Sequence, residues 1–171
     1  MKRPRKTLKD RIEGGQWPPR AQGNNLHALS KHEYRCKSRI TEIITQGEPH
    51  FLTFTLEDKY LGLKMDTYLQ GIKKALKQLG AKQYIINIDY GTKKGRLHFH
   101  VVATFPKQLD YIIVKGQKYI TQHNYHYGLV HCEFISHETK TATQVTKYIT
   151  KVYNHAHKHT AGVIIYSRRT T

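Results

Sequence analysis

The chain has 171 residues, with 29 Lys and Arg against 12 Asp and Glu, a formal charge of +17 while its 12 His are neutral. With 38% hydrophobic residues it can bury one core, which excludes full disorder, and its longest apolar stretches fall far short of the ~20 residues a membrane span needs. The basic start Lys2-Arg3-Pro4-Arg5-Lys6 has no apolar run behind it and is no secretory signal, and Cys36 and Cys132 lack the spacing of a disulfide scaffold or zinc ribbon, so a soluble, reduced cytoplasmic domain with no membrane partner is expected.

The charge is spread along the chain: residues 1–48 carry 11 basic and 5 acidic residues, and residues 49–171 carry 18 and 7. A domain that is itself basic points to a polyanion at its working face, most often nucleic acid. Twelve Tyr beside so many Lys and Arg suit single strands, where aromatic rings stack on bases and cations neutralise phosphates. The competing account of the same composition has Tyr filling half-exposed sheet positions and Lys keeping the surface soluble.

In chain order, residues 1–29 hold Pro4, Pro18, Pro19, Gly14, Gly15 and Gly23 among charges and read as an extended or mobile basic arm, with the domain proper over 30–171. Ser30 and Glu33 have capping-box spacing, and Tyr34, Ile40, Ile43 and Ile44 give an apolar stripe, so a helix is predicted over about 30–46. Gly47-Glu48-Pro49 then breaks the chain before an alternating strand at Phe51 to Leu56. Asp66 is the expected cap of a helix carrying Leu69, Ile72, Leu76 and Leu79, stopped by Gly80. Tyr84 to Asp89 and Leu97 to Phe105 are two strands expected to pair antiparallel. A Tyr-rich stretch after Pro106 gives no clear pattern; a strand over 128–135, a helix over about 139–155 and a strand over 163–166 follow. The expected architecture is α+β, a central antiparallel sheet of about five strands with flanking helices.

Three of these elements carry chemistry. In the strand 97–105, His98, His100, Val102 and Thr104 share one face, and Phe99, Val101, Ala103 and Phe105 share the other, which is core. Two imidazoles side by side can reach one divalent ion through neutral nitrogens, although such a pair also arises on a merely polar sheet face. Asn87 and Asp89 share a face of the preceding strand, and the turn brings Asp89 back beside the pair; a simple turn cap is its other reading. A His, His, carboxylate set with open positions suits Mn²⁺ or Mg²⁺ at a phosphate-handling site, and the lack of thiolate ligands speaks against structural zinc. On the predicted helix 139–155, Ala142, Val145, Ile149 and Val152 form an apolar stripe, while Gln144, Tyr148, Lys151 and His155 fall on an adjoining shoulder. Tyrosine has a pKa of about 10, so a nucleophilic Tyr148 needs a nearby cation and an activated substrate; shielding of the helix edge is the bland alternative. His155, His157 and His159 read as a solvated loop.

Together the segments resemble the HUH-superfamily endonucleases, in particular the rolling-circle replication initiators of small phages and plasmids. Phe51 to Leu56 resembles the family's first strand motif, His98-Phe99-His100 its His-hydrophobic-His motif, and Tyr148-Ile149-Thr150-Lys151 its Tyr-x-x-Lys motif, over roughly residues 51–169. Asp89-Tyr90-Gly91, Gly95 to His100 and Tyr166-Ser167-Arg168 are especially similar to the microvirus-type initiators; Asp89 stands where Glu is commoner. The resemblance implies a ferredoxin- or RRM-like fold and site-specific nicking and joining of single-stranded DNA at an origin or hairpin. It implies a divalent metal, Mn²⁺ or Mg²⁺, on His98, His100 and Asp89, attack by Tyr148 to give a 5′-phosphotyrosyl link, and charge stabilisation by Lys151, with Gln144 assisting.

The Tyr follows the His pair, the order of initiators and small transposases rather than of relaxases, and Tyr153 lies five residues beyond Tyr148 and about 140° around the helix, so one catalytic tyrosine is read. No Gly-x-x-x-x-Gly-Lys-Ser/Thr stretch is present, so a host helicase and polymerase in a prokaryotic cell are the expected partners. The alternatives are a single-tyrosine transposase and a non-catalytic single-strand-binding module whose sheet aromatics stack bases.

Overall fold

The computed structural model describes residues 26–90, 96–137, 145–146, 149 and 164–167. Helix α1 spans Leu26–Thr45, strand β1 Glu48–Phe54, helix α2 Met65–Gln78, β2 Gln83–Tyr90, β3 Leu97–Phe105, β4 Ile112–Val114, β5 Gln117–Tyr119, β6 Val130–Phe134 and β7 Ile164–Tyr166. All strands join one antiparallel sheet in the order β4-β5-β6-β1-β3-β2-β7. The α+β architecture is as expected, but the sheet has seven strands rather than about five, because the Tyr-rich stretch forms the β4–β5 hairpin. Its two-residue turn, Lys115-Gly116, has φ of 51° and 77°, the doubly positive conformation that matches strand twist.

Strand β3 lies between β1 and β2 and is buried on both faces from Phe99 onward. On one face Phe99, Val101, Ala103 and Phe105 meet Leu52 and Phe54 of β1, Ile86 and Ile88 of β2, and the apolar stripe of α2 at Tyr68, Leu69, Ile72, Ala75 and Leu76. On the other face Val102 and Ile85 meet Cys36, Ile40, Ile43 and Ile44 of α1, with Ile149 and Val145 from the segment near residue 147. The second face, which carries the His pair, is thus roofed in part by an apolar helix. Full burial of an Ile or Leu contributes about 1.5–3 kcal/mol relative to exposure, so three Ile at 0–1% exposure firmly dock α1.

Two helix starts differ from expectation. α1 begins at Leu26, so Ser30 and Glu33 lie inside it and do not form a capping box at its start; its buried stripe is Cys36, Ile40, Ile43 and Ile44, while Tyr34 is 76% exposed. α2 begins at Met65 with Lys64 in the cap position, and Asp66 sits in the first turn rather than capping, where its charge still favours the positive helix end. Gly80, at φ 81°, ends α2 as predicted, in the left-handed conformation that costs glycine nothing.

Two polar ties hold α1 to the sheet. The nearly buried Arg39 donates to Glu42 Oε2 at 2.9 Å and to the carbonyl and hydroxyl oxygens of Ser167 at 3.2 and 3.3 Å. Ser167 in turn accepts the Tyr84 N–H at 2.9 Å and donates its own N–H to the Tyr84 carbonyl, fixing β7 on the edge of β2. Gln83 of β2 donates to Gln46 Oε1 at 2.7 Å.

Candidate metal centre

Antiparallel register places Asp89 directly opposite His98 and Asn87 opposite His100. Residues paired in this way point to the same face, so the three ligand types converge at the end of β2 and β3. Asp89 Oδ2 lies 3.4 Å from His98 Nε2 and 3.4 Å from His100 Nε2, and the ligating atoms of the three lie within 4.8 Å of one another. Asp89 and His100 are 5% and 4% exposed, with His98 nearer the surface.

The remaining polar atoms of these side chains are tied elsewhere. His98 Nδ1 lies 3.0 Å from the Arg96 carbonyl oxygen, which can only accept, so in the neutral ring Nδ1 carries the hydrogen and Nε2 offers its lone pair to the centre. His100 Nδ1 lies 3.2 Å from Thr53 Oγ1 of β1, and Asp89 Oδ1 accepts the Tyr90 N–H at 2.8 Å, leaving Oδ2 turned to the His pair. Supports of this kind fix ring orientation and raise ligand basicity.

The electrostatics follow from proximity under partial burial. Burial would raise the Asp89 carboxyl, but His100, His98 and the Tyr90 N–H outweigh it and hold the group well below the ordinary carboxylate range. Burial would lower His98, yet Asp89 and the Arg96 carbonyl raise it above the usual imidazole value. His100, more deeply buried and beside His98, is lowered. An anionic carboxylate with two imidazoles, one of them kept neutral, is a donor set that fits a divalent cation. Among the described residues this is the only cluster of three His, Cys, Asp or Glu with metal-ligand spacing.

Asp89, His98 and His100 are therefore brought together as predicted. Thr53, the Tyr90 amide and the Arg96 carbonyl are supports that strand alternation did not reveal, since Thr53 reaches His100 only through the β1–β3 register. Tyr148, Lys151, Gln144 and the 155–159 His trio lie outside the described residues. Val145, Thr146 and Ile149 are helical, and the fully buried Ile149 packs with Ile85 and Val102 on the sheet face that carries the His pair.

The family model described as Replication-associated protein ORF2 matches residues 49–153, more than half of the chain. The chain belongs to this family. The match to the ORF2 replication-associated proteins opens at the start of β1, contains the whole metal cluster with its Thr53 support, and extends past Tyr148 and Lys151. Comparison with curated proteins finds no match. As a replication-associated protein, this member of the ORF2 family pairs a cation-binding cluster with a +17 charge, and among the described residues no helix is long and apolar enough to cross a membrane.

Proposed function

We propose that the chain is a single-tyrosine replication initiator of the HUH type, which nicks and rejoins single-stranded DNA at an origin and so starts rolling-circle replication of a phage or plasmid. The observation that carries this reading is the convergence of Asp89, His98 and His100 on the sheet face against which Ile149, the residue after Tyr148, is packed. Family membership and the basic charge support DNA as the partner, with host helicase and polymerase completing replication.

Asp89, His98 and His100 would hold Mn²⁺ or Mg²⁺, which when bound supplies Lewis-acid polarisation of the scissile phosphate. The Tyr148 hydroxyl oxygen forms a bond to phosphorus as the bond from phosphorus to the 3′ oxygen breaks. The phenol loses its proton and the departing 3′ oxygen gains one, giving a 5′-phosphotyrosyl link and a free 3′-OH; rejoining is the reverse. Lys151, one helical turn from Tyr148 in the predicted helix, favours the phenolate and the crowded phosphate charge. The Tyr90 N–H and the Arg96 carbonyl hold the ligands in place through this exchange.

The test is incubation with a fluorescent pool of random-sequence single-stranded oligonucleotides and Mn²⁺, with and without chelator, followed by denaturing electrophoresis and peptide mapping. A chelator-sensitive adduct mapping to Tyr148, absent in Tyr148→Phe although that variant still binds, is expected. An adduct on Tyr153 overturns the single-tyrosine assignment. Binding without any adduct under any metal would make the chain a single-strand-binding module instead.

A further inference from the structure

The register of the sheet extends the metal centre into a row. Asn87 pairs with His100, His100 with Thr53, Thr53 with His131, His131 with Tyr119, and Tyr119 with Ile112, one residue from each of β2, β3, β1, β6, β5 and β4. Directly paired residues share a face, so this row runs from the metal ligands to the outer strand on one side of the sheet. The row surfaces as it leaves the metal: Asn87 and His100 are buried, Thr53, His131 and Tyr119 half-buried, and Ile112 is 49% exposed.

The row carries aromatic and apolar groups but no Lys or Arg, in a chain that has 29 of them. Tyr119 and His131 sit edge to face, ring centroids 5.7 Å apart at 71°, which leaves an open corner against which a flat ring can stack. Tyr119 is steadied by its hydroxyl, which donates to Gln117 Oε1 at 2.5 Å. Glu133, two residues along β6 from His131, has its carboxylate 3.9 Å from His131 Nδ1. A carboxylate beside the row repels phosphates but can accept hydrogen bonds from base amino and imino groups. Strands are ~4.8 Å apart, so His100 and Tyr119 lie about 14 Å apart across three spacings, a span of roughly four stacked nucleotides at ~3.4 Å each.

We infer that the row Thr53, His131, Tyr119 and Ile112 is a base-facing track on which the unpaired strand lies next to the phosphate at the metal centre, with Tyr119 and His131 as its stacking platform. The occupant is single-stranded DNA, argued from continuity with the metal cluster, the aromatic pair and the lack of cations on the row. This deepens the proposed function and rests on it for the identity of the strand.

The test uses the full chain in chelator, so that no cleavage intervenes, with fluorescein-labelled dT12 and fluorescence anisotropy. Base stacking on one aromatic contributes about 1–3 kcal/mol, so Tyr119→Ala is expected to weaken binding roughly 5- to 150-fold, His131→Ala to weaken it as well, and Tyr119→Trp to retain wild-type affinity or better. Tyr34→Ala, which removes a 76% exposed tyrosine from α1, serves as the off-row control and is expected to bind dT12 as the wild type does. In dT12 with one thymine replaced by 5-iodouracil, irradiation is expected to cross-link Tyr119 or His131. Wild-type affinity in Tyr119→Ala, equal losses in Tyr119→Trp and Tyr119→Ala, or cross-links confined to other segments would each overturn the track. Because these readouts need no metal and no Tyr148, failure of the nicking reading leaves them intact, and a Tyr148 adduct formed equally well by the track variants would reject the track alone.

Discussion

At the scale of single residues, the centre depends on atoms that never touch the ion. Thr53 Oγ1 holds His100 Nδ1, and loss of such a support commonly costs 10- to 100-fold in metal affinity, so Thr53→Val is expected to weaken Mn²⁺ binding by roughly that factor. Titration calorimetry checks it, with circular dichroism and thermal melting to show that the fold persists. An unchanged dissociation constant would mean that the β1 contact does not orient the ring. His98 and His100 are not equivalent targets, because His100 is 4% exposed and its truncation leaves a cavity as well as a missing ligand. Cys132 offers a separate check on burial: desolvation, reinforced by Glu133, pushes its thiol up to about 11. With thiolate scarce at pH 8, native protein should react slowly with a thiol-selective reagent and the rate should keep climbing toward pH 11. Prompt titration of two thiols at pH 8 in the native state would contradict the buried positions of Cys36 and Cys132.

At the scale of elements, close approaches and buried titratable groups decide how the strands meet. Gly128 stands before β6 where an added Cβ would lie 2.2 Å from the Thr55 carbonyl oxygen and 2.8 Å from its carbon, backbone atoms that have no rotamer to yield. Gly128→Ala is therefore expected to destabilise the domain by about 1–3 kcal/mol, the usual range for overpacking, and a urea midpoint equal to wild type would show that the loop relaxes freely. His50 on β1 is 2% exposed between the edges of Phe105 and Phe134. Burial lowers its pKa despite the Glu48 carbonyl 3.1 Å from Nδ1. The folded state thus resists a proton that the unfolded chain accepts, so stability should fall as pH drops below the unfolded value of about 6.5. His100 and His123, also lowered, act in the same direction, while the raised His98 opposes them. His50→Asn should flatten the decline of unfolding free energy between about pH 6.5 and 5; equal slopes in variant and wild type would remove His50 from the account.

At the scale of the whole molecule, the +17 charge sets the terms of DNA binding. Each phosphate neutralised on a single strand contributes a slope of roughly −0.7 in log affinity against log salt. Residues 1–24 contain Lys2, Arg3, Arg5, Lys6, Lys9, Arg11 and Arg20, and α1 begins only at Leu26, so their deletion spares every described element. We expect that truncation to lower affinity for dT12 and make the salt slope shallower, while adduct formation at saturating DNA persists. Normal binding with complete loss of the adduct would instead make the arm part of the active centre.

The sequence by itself determined the features that follow from local periodicity and chemistry. Alternation along Leu97 to Phe105 separated the Phe99 core face from the His98 and His100 face, and the Asp89 position two residues from Asn87 identified the third ligand, because the period of a strand leaves no freedom about which side chains share a face. The spacing of Leu69, Ile72 and Leu76 likewise gave α2 and its Gly80 stop. Helix starts were less legible: the Ser30 and Glu33 pattern and Asp66 are generic capping signals, and packing of the Cys36 to Ile44 stripe carried α1 past one of them. Only the tertiary structure decided what depends on register between distant strands. Thr53 reaches His100 across 47 positions, and Tyr119 joins His131 through a three-residue strand too short and too exposed to show a period. A pattern along the chain reports which face a residue takes, whereas the partner across that face is set by which strands pair and in what alignment, and that information resides in the assembled sheet.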